Sequence, residues 1–299
     1  MPPENQSSNQ SPLTELTASN LVIVAGKGGV GKTTVTAVLA RAAADLGQRV
    51  LVIELDGKPA LDGLLPDLDV RHISAASSLE EYLLEHGFRR IAKRLASTGV
   101  IDVVGTAAPG IDDLVVLGKV KQLERSGEWD LIVVDGPAAG HAVTFLTSAA
   151  GLLDAVGSGP VHDQARDVVA MLSDPDRCRV VLVTLPETTP VNEMIETADT
   201  IVDRVGVALG PIVVDQVDTS VPLPDPADVS FGRARLQVDD ARAAAVFRRA
   251  RRAVQDDELD RLGRALPLRQ VHVRALPTAS LTADDIVTLA RELTGNDDA

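Results

Sequence analysis

Short apolar runs recur along the chain, and helix-length stretches with an apolar face separate them. The runs are Leu21 to Ala25 (LVIVA), Arg49 to Leu55 (RVLVIEL), Val100 to Val104, Asp130 to Val134 (DLIVV), Arg179 to Thr184 (RVVLVT), Pro211 to Val214 (PIVV) and Gln270 to Arg274 (QVHVR). Most are apolar throughout rather than alternating, which predicts strands buried on both faces, as in parallel sheets. Helical patterns cover Lys32 to Leu46, Leu79 to Leu95, Ile111 to Glu124, Val143 to Val156, Gln164 to Leu172, Thr189 to Val205, Asp239 to Leu266 and Ala283 to Leu293. Strands alternating with helices predict an α/β fold: a doubly wound, mostly parallel sheet with helices on both faces. Ligands of such sheets bind at the carboxyl ends of the strands, so those ends are where chemistry is sought.

The pattern fades at three places. Residues 1–19 are rich in Pro, Ser, Asn and Gln and are expected to be a disordered tail, leaving one domain over 20–295 and a frayed acidic end at 296–299. Residues 219–238 are Pro-rich with weak periodicity and read as a connector within the domain rather than a boundary. No internal repeat is present.

Between the first strand and first helix runs Gly26-Lys27-Gly28-Gly29-Val30-Gly31-Lys32-Thr33-Thr34, a G-x-x-x-x-G-K-[ST] phosphate loop in the strand–loop–helix setting that gives the pattern meaning. Glycines let successive backbone N–H groups converge on phosphate oxygens, and the helix N-terminus adds partial positive charge. Lys32 is placed to neutralise the β- and γ-phosphates. Thr33 offers a hydroxyl to Mg²⁺, which takes hard oxygen ligands and keeps several waters. Asp135 ends the strand DLIVV and is the candidate carboxylate for the same ion. Asp56 directly follows RVLVIEL.

With Lys27 included, the loop reads K-G-G-V-G-K-T-T. This resembles the deviant phosphate loop of dimeric ATPases that include the arsenical-pump ATPase, the tail-anchored-protein targeting ATPase, MinD, ParA and nitrogenase iron protein. The resemblance implies that Lys27 reaches the partner's nucleotide in trans. Asp135 to Leu146 (DGPAAGHAVTFL) resembles the D-T-A-P-T-G-H-T-L-R-x-L switch of the arsenical-pump and targeting (ArsA-type) branch, and Gly140-His141 sets it apart from MinD and ParA. His141 is either a γ-phosphate sensor or a helix-start residue. Asp56 in L-D-G-K-P-A-L-D resembles the leading aspartate of D-P-A-H-S-L-S-D, and the resemblance implies that it orients or deprotonates the attacking water, although Gly57-Lys58 replaces Pro-Ala and Asp62 falls one place early. Ala107 to Leu114 and Thr184 to Glu193 are weaker echoes of the same branch.

Where the branch reads adenine with the Asn of V-V-N-Q, this chain has Val213-Val214-Asp215-Gln216. An aspartate accepts from the adenine amino group but cannot donate to N7. The stretch D-Q-V-D, ending at Asp218, faintly matches the guanine-reading N-K-x-D, and the other motifs outweigh it in favour of ATP. Asp215 and Pro277 complete the candidate nucleotide-binding residues.

Composition narrows the partners. Asp plus Glu number 43 against 29 Lys plus Arg, a formal charge of −14 that disfavours nucleic acid and a ParA-like role. One cysteine, Cys178, leaves no C-x-x-C for a structural zinc clasping a dimer and no cysteine triad for arsenite. Three methionines do not make a Met-rich client insert, and the helix near Gly157 to Leu172 has the size of an ordinary core helix. Arg248-Arg249 and Arg251-Arg252 share a helix with several carboxylates and read as a solvated, salt-bridged face. No secretory leader or bilayer-length apolar run is seen, and a cytoplasmic protein is expected. The expected function is a Mg²⁺-dependent dimeric ATPase, homodimeric or paired with a paralogous subunit, whose cycle serves a client or membrane partner. The alternative is a nucleotide-gated platform with little turnover.

Overall fold

The computed structural model describes residues 12–55, 59–85, 110–221 and 238–295. Among them a single sheet of eight parallel strands forms the centre: β1 (Leu21–Gly26), β2 (Val50–Leu55), β3 (Asp69–Ile73), β4 (Leu131–Ala138), β5 (Cys178–Thr184), β6 (Ala208–Leu209), β7 (Ile212–Val217) and β8 (Gln270–Arg274). Their order is β3-β2-β4-β1-β5-β7-β8, with the short β6 pairing β5. β1 therefore lies in the middle, and the loop leaving it opens where the order reverses, the position at which such sheets hold ligands.

Strand parity divides the core. Leu21, Ile23, Leu51, Ile53, Ile132 and Val134 face one layer; Val22, Val24, Val50, Val52, Leu131 and Val133 face the other. The first layer is closed by α4 (Ala75–Glu85), α5 (Ile111–Ser126), α6 (Ala139–Ala155), α7 (Pro160–Leu172) and α8 (Thr188–Val205). The second is closed by α2 (Lys32–Asp45) and α10 (Ala283–Thr294), which pack on each other, with α3 (Leu61–Leu64) beside them. With no polar face to spare, each central strand must be apolar in both registers, which is why the runs were readable. Full burial of one such Val, Leu or Ile is worth about 1.5–3 kcal/mol.

Two departures from the sequence reading have simple causes. Residues Pro12–Leu16, inside the expected disordered tail, form a helical turn, α1, whose Leu13 and Leu16 are buried against α2 and α10. Two leucines three apart suffice to seat one turn. β3 (DVRHI) went unread because it is an edge strand with only Val70 and Ile73 apolar. The expected strand at 100–104, the second half of the helix at 79–95 and most of the 219–238 connector lie outside the described residues. The long helix expected at 239–266 is α9 (Val238–Ala265).

Candidate nucleotide site

β1 ends at Gly26, and the glycine loop carries the chain into the N-terminus of α2. Gly29 and Gly31 adopt left-handed φ values of 86° and 90°, which glycine alone tolerates without strain. At Gly31 a Cβ would also fall 1.9 Å from Oδ2 of Asp215. Nζ of Lys32 donates across the loop to the carbonyl oxygen of Lys27 at 3.2 Å. Burial lowers the Lys32 pKa, and the nearby Asp135 charge opposes that shift.

Asp135 projects from β4 toward α2. The Thr33 hydroxyl donates to its Oδ2 at 2.7 Å, and Thr36 reaches Oδ1 at 3.5 Å. Burial raises the Asp135 pKa most; the Thr33 hydrogen bond and Lys32 pull it down, while the Glu54 charge pushes it further up. The structure thus brings Lys32, Thr33 and Asp135 together.

Lys27 points elsewhere within its own chain. Its ammonium pairs with Glu193 of α8, whose second carboxylate oxygen is buried without a hydrogen bond. Asp56 lies outside the described residues. His141 sits exposed in the first turn of α6.

Beyond the loop, a cavity of about 560 Å³ is lined by Gly29, Gly31, Thr34, Asp215, Gln216 and Leu276 among others. Pro277 lies between Leu276 and Thr278, both of which line it. The β7–β8 register shifts between Val214 and Val217, and Gln216 takes φ 60°, rare outside glycine. That bulge turns the buried Asp215 carboxylate onto the loop. Burial pushes its pKa up to about 6, against hydrogen bonds from Gln216. Asp218, last residue of the guanine-like echo, is committed to the Arg248 guanidinium at 2.7 and 2.9 Å, which holds its carboxyl well below the usual range. The arginine cluster is partly spent in this way, since Arg251 also faces Glu187 at 3.9 Å.

Sequence reasoning missed two carboxylates. Glu193 is 166 positions from Lys27, and no local pattern joins them. Glu54, two residues before Asp56, is buried at 4% exposure and is the cross-strand partner of Asp135. Its signal was there: one charge inside an otherwise apolar strand.

This arrangement of central β1, glycine loop, lysine and hydroxyl–carboxylate pair defines the class of phosphate-loop nucleotide-binding α/β proteins. Residues 19–157 match the anion-transporting ATPase family, and over that stretch the chain fits the ArsA-type family. It is 28% identical to the ATPase BagA of Mycobacterium tuberculosis over 228 residues, covering 68% of this chain and 66% of that protein. It is 32% identical to the arsenical pump-driving ATPase of Acidiphilium multivorum over 185 residues, and to one from Escherichia coli over 182, each match covering 58% of this chain. The matches span about two thirds of the mycobacterial relative and under a third of the arsenical pump-driving proteins.

Proposed function

We propose that the chain is a Mg²⁺-dependent ATPase that works as a dimer, coupling its nucleotide cycle to a client or membrane partner. The observation that carries the reading is the Thr33–Asp135 pair beside Lys32 at the mouth of the loop. The donor set fits Mg²⁺: a hydroxyl, a carboxylate and a buried carboxylate oxygen of Glu54 without a hydrogen bond are all hard oxygens.

In this reading the loop amides and Lys32 hold the phosphates, and Thr33 and Asp135 hold the ion, which neutralises charge developing on the phosphoryl oxygens. Asp56 orients the attacking water, and Lys27 acts across the dimer. Asp215 accepts from the adenine amino group. The partner is a second copy or a paralogous subunit. Nucleic acid, a structural zinc and arsenite play no part.

Phosphate release measured with Mg·ATP and Mg·GTP, alongside mass with and without nucleotide, tests this. Expected are ATP-specific turnover, its loss in Lys32→Ala and nucleotide-dependent dimers. A chain that binds no ATP sinks the reading. A platform with little turnover is the second reading, favoured by the pairing of Lys27 with Glu193 of its own chain. Asp56→Asn separates the two: if cellular function survives without hydrolysis, turnover is not the purpose.

No helix among the described residues is long and apolar enough to cross a membrane.

A further inference from the structure

Glu54 is harder to explain as a structural residue than as a functional one. Strand parity places its side chain with Val50 and Val52 on the α2 face of the sheet, where Val133 and Asp135 of β4 also point. Glu54 and Asp135 are direct register partners on these adjacent parallel strands, at their carboxyl ends. A buried carboxylate, Glu54, and a half-buried one, Asp135, thereby stand side by side, and their like charges repel unless a cation lies between them.

The Glu54 carboxylate is held, but only in part. Oε1 accepts from the backbone N–H of Ala60 at 3.3 Å, in the turn leading to α3. On the other side, Nδ1 of His72 stands 3.1 Å from Oε2, while Nε2 of the same ring lies 3.1 and 3.2 Å from the two oxygens of Asp62. The Oε2–imidazole approach is close but not aligned as a hydrogen bond, so Oε2 remains buried and unsatisfied. A buried acceptor without a donor is costly. A donor supplied from the Thr33–Asp135 side would complete it, and metal-bound waters are such donors.

We infer that Glu54 is the second carboxylate of the Mg²⁺·nucleotide site, accepting from the ion's water shell beside its register partner Asp135 and anchored by the Ala60 amide at Oε1, with His72 standing against Oε2. The inference rests on the proposed nucleotide reading. It assigns β2 a role in the site: Glu54 holds the hydrated ion. It also gives edge strand β3 a purpose, since His72 is the exposed residue that links Glu54 to Asp62 of α3.

The test uses the full chain preloaded with a non-hydrolysable ATP analogue and titrated with Mn²⁺, free metal being read by electron paramagnetic resonance. Analogue affinity is measured separately in EDTA. Glu54→Gln is expected to weaken Mn²⁺ on the order of tenfold or more, as loss of an outer-shell partner does, with metal-free analogue affinity unchanged. If Glu54→Gln matches the wild type while Asp135→Asn loses the metal, the inference falls and the nucleotide site stands. If the wild type does not bind the analogue, the nucleotide reading itself falls. Should Glu54→Gln fail to fold, Glu54→Asp carries the same test, keeping the charge but withdrawing it by one methylene: weakened Mn²⁺ supports the role, and unchanged Mn²⁺ overturns it.

Discussion

Lys27 of the glycine loop and Glu193 of α8 form an ion pair within one chain, both side chains partly open to solvent. In the proposed dimer a lysine engaged this way is not free to serve a second nucleotide, so dimer formation would exchange one partner for another. As a half-exposed pair it is worth up to about 1 kcal/mol, small enough for a polyphosphate to displace. Glu193→Gln is therefore expected to leave thermal stability within about 1 kcal/mol and to shift ATP-dependent dimerisation to lower ATP concentrations. Lys27→Ala should abolish turnover while ATP still binds. Light scattering across an ATP titration checks both; unchanged dimerisation in Glu193→Gln would remove the ion pair from the cycle.

Thr33 and Asp135 carry opposite demands on stability and activity. The Asp135 carboxylate is half-buried, and its pKa is raised chiefly by that burial. Its folded pKa exceeds its unfolded one, so its contribution is full below the ordinary carboxylate range and lost as pH rises past the folded value. At neutral pH it opposes folding of the nucleotide-free chain. Asp135→Asn should stabilise that form yet lower kcat by about 100-fold or more, a trade typical of active-site carboxylates. Calorimetry without ligand and phosphate-release kinetics measure the two sides.

Asp215 gives a sharper pH signature. Its pKa is pushed up from 3.8 to about 6 by burial, so its favourable contribution is complete below about pH 4 and disappears as pH rises through 6. The nucleotide-free chain should lose up to about 3 kcal/mol across that window from this group alone. Asp215→Asn should flatten the profile and raise stability at pH 7. It should also tighten ATP, because an amide both accepts from the adenine amino group and donates to N7. Urea denaturation at pH 4.5 and 7, with ATP titrations, reads both effects.

What the sequence disclosed follows burial. β1, β2, β4 and β5 were legible because both faces of each are covered, leaving an unbroken apolar run. β3 was not, since an edge strand may be polar; nor was α1, where Leu13 and Leu16 sit among polar neighbours. At the candidate site, the proximity of Lys32, Thr33 and Asp135 could be anticipated because each stands at a fixed place relative to a strand. The Lys27–Glu193 pair and the Glu54–His72–Asp62 group join distant elements through tertiary packing, which periodicity does not encode. The bulge that turns Asp215 onto Gly31 is likewise a backbone event, marked only by the unusual φ of Gln216.

Gly31 tests whether that contact matters. Its φ of 90° penalises any side chain, and a Cβ would lie 1.9 Å from Oδ2 of Asp215, far inside contact distance. Gly31→Ala is expected to destabilise the chain by at least about 1 kcal/mol and to displace Asp215 from the loop. ATP affinity should fall with it, since the loop and the base-side carboxylate move together. Combining Gly31→Ala with Asp215→Ala, which clears the carboxylate from that space, should recover part of the stability and none of the base contact. If the double variant is no more stable than Gly31→Ala, the cost lies in the backbone conformation and the collision with Asp215 is not its source.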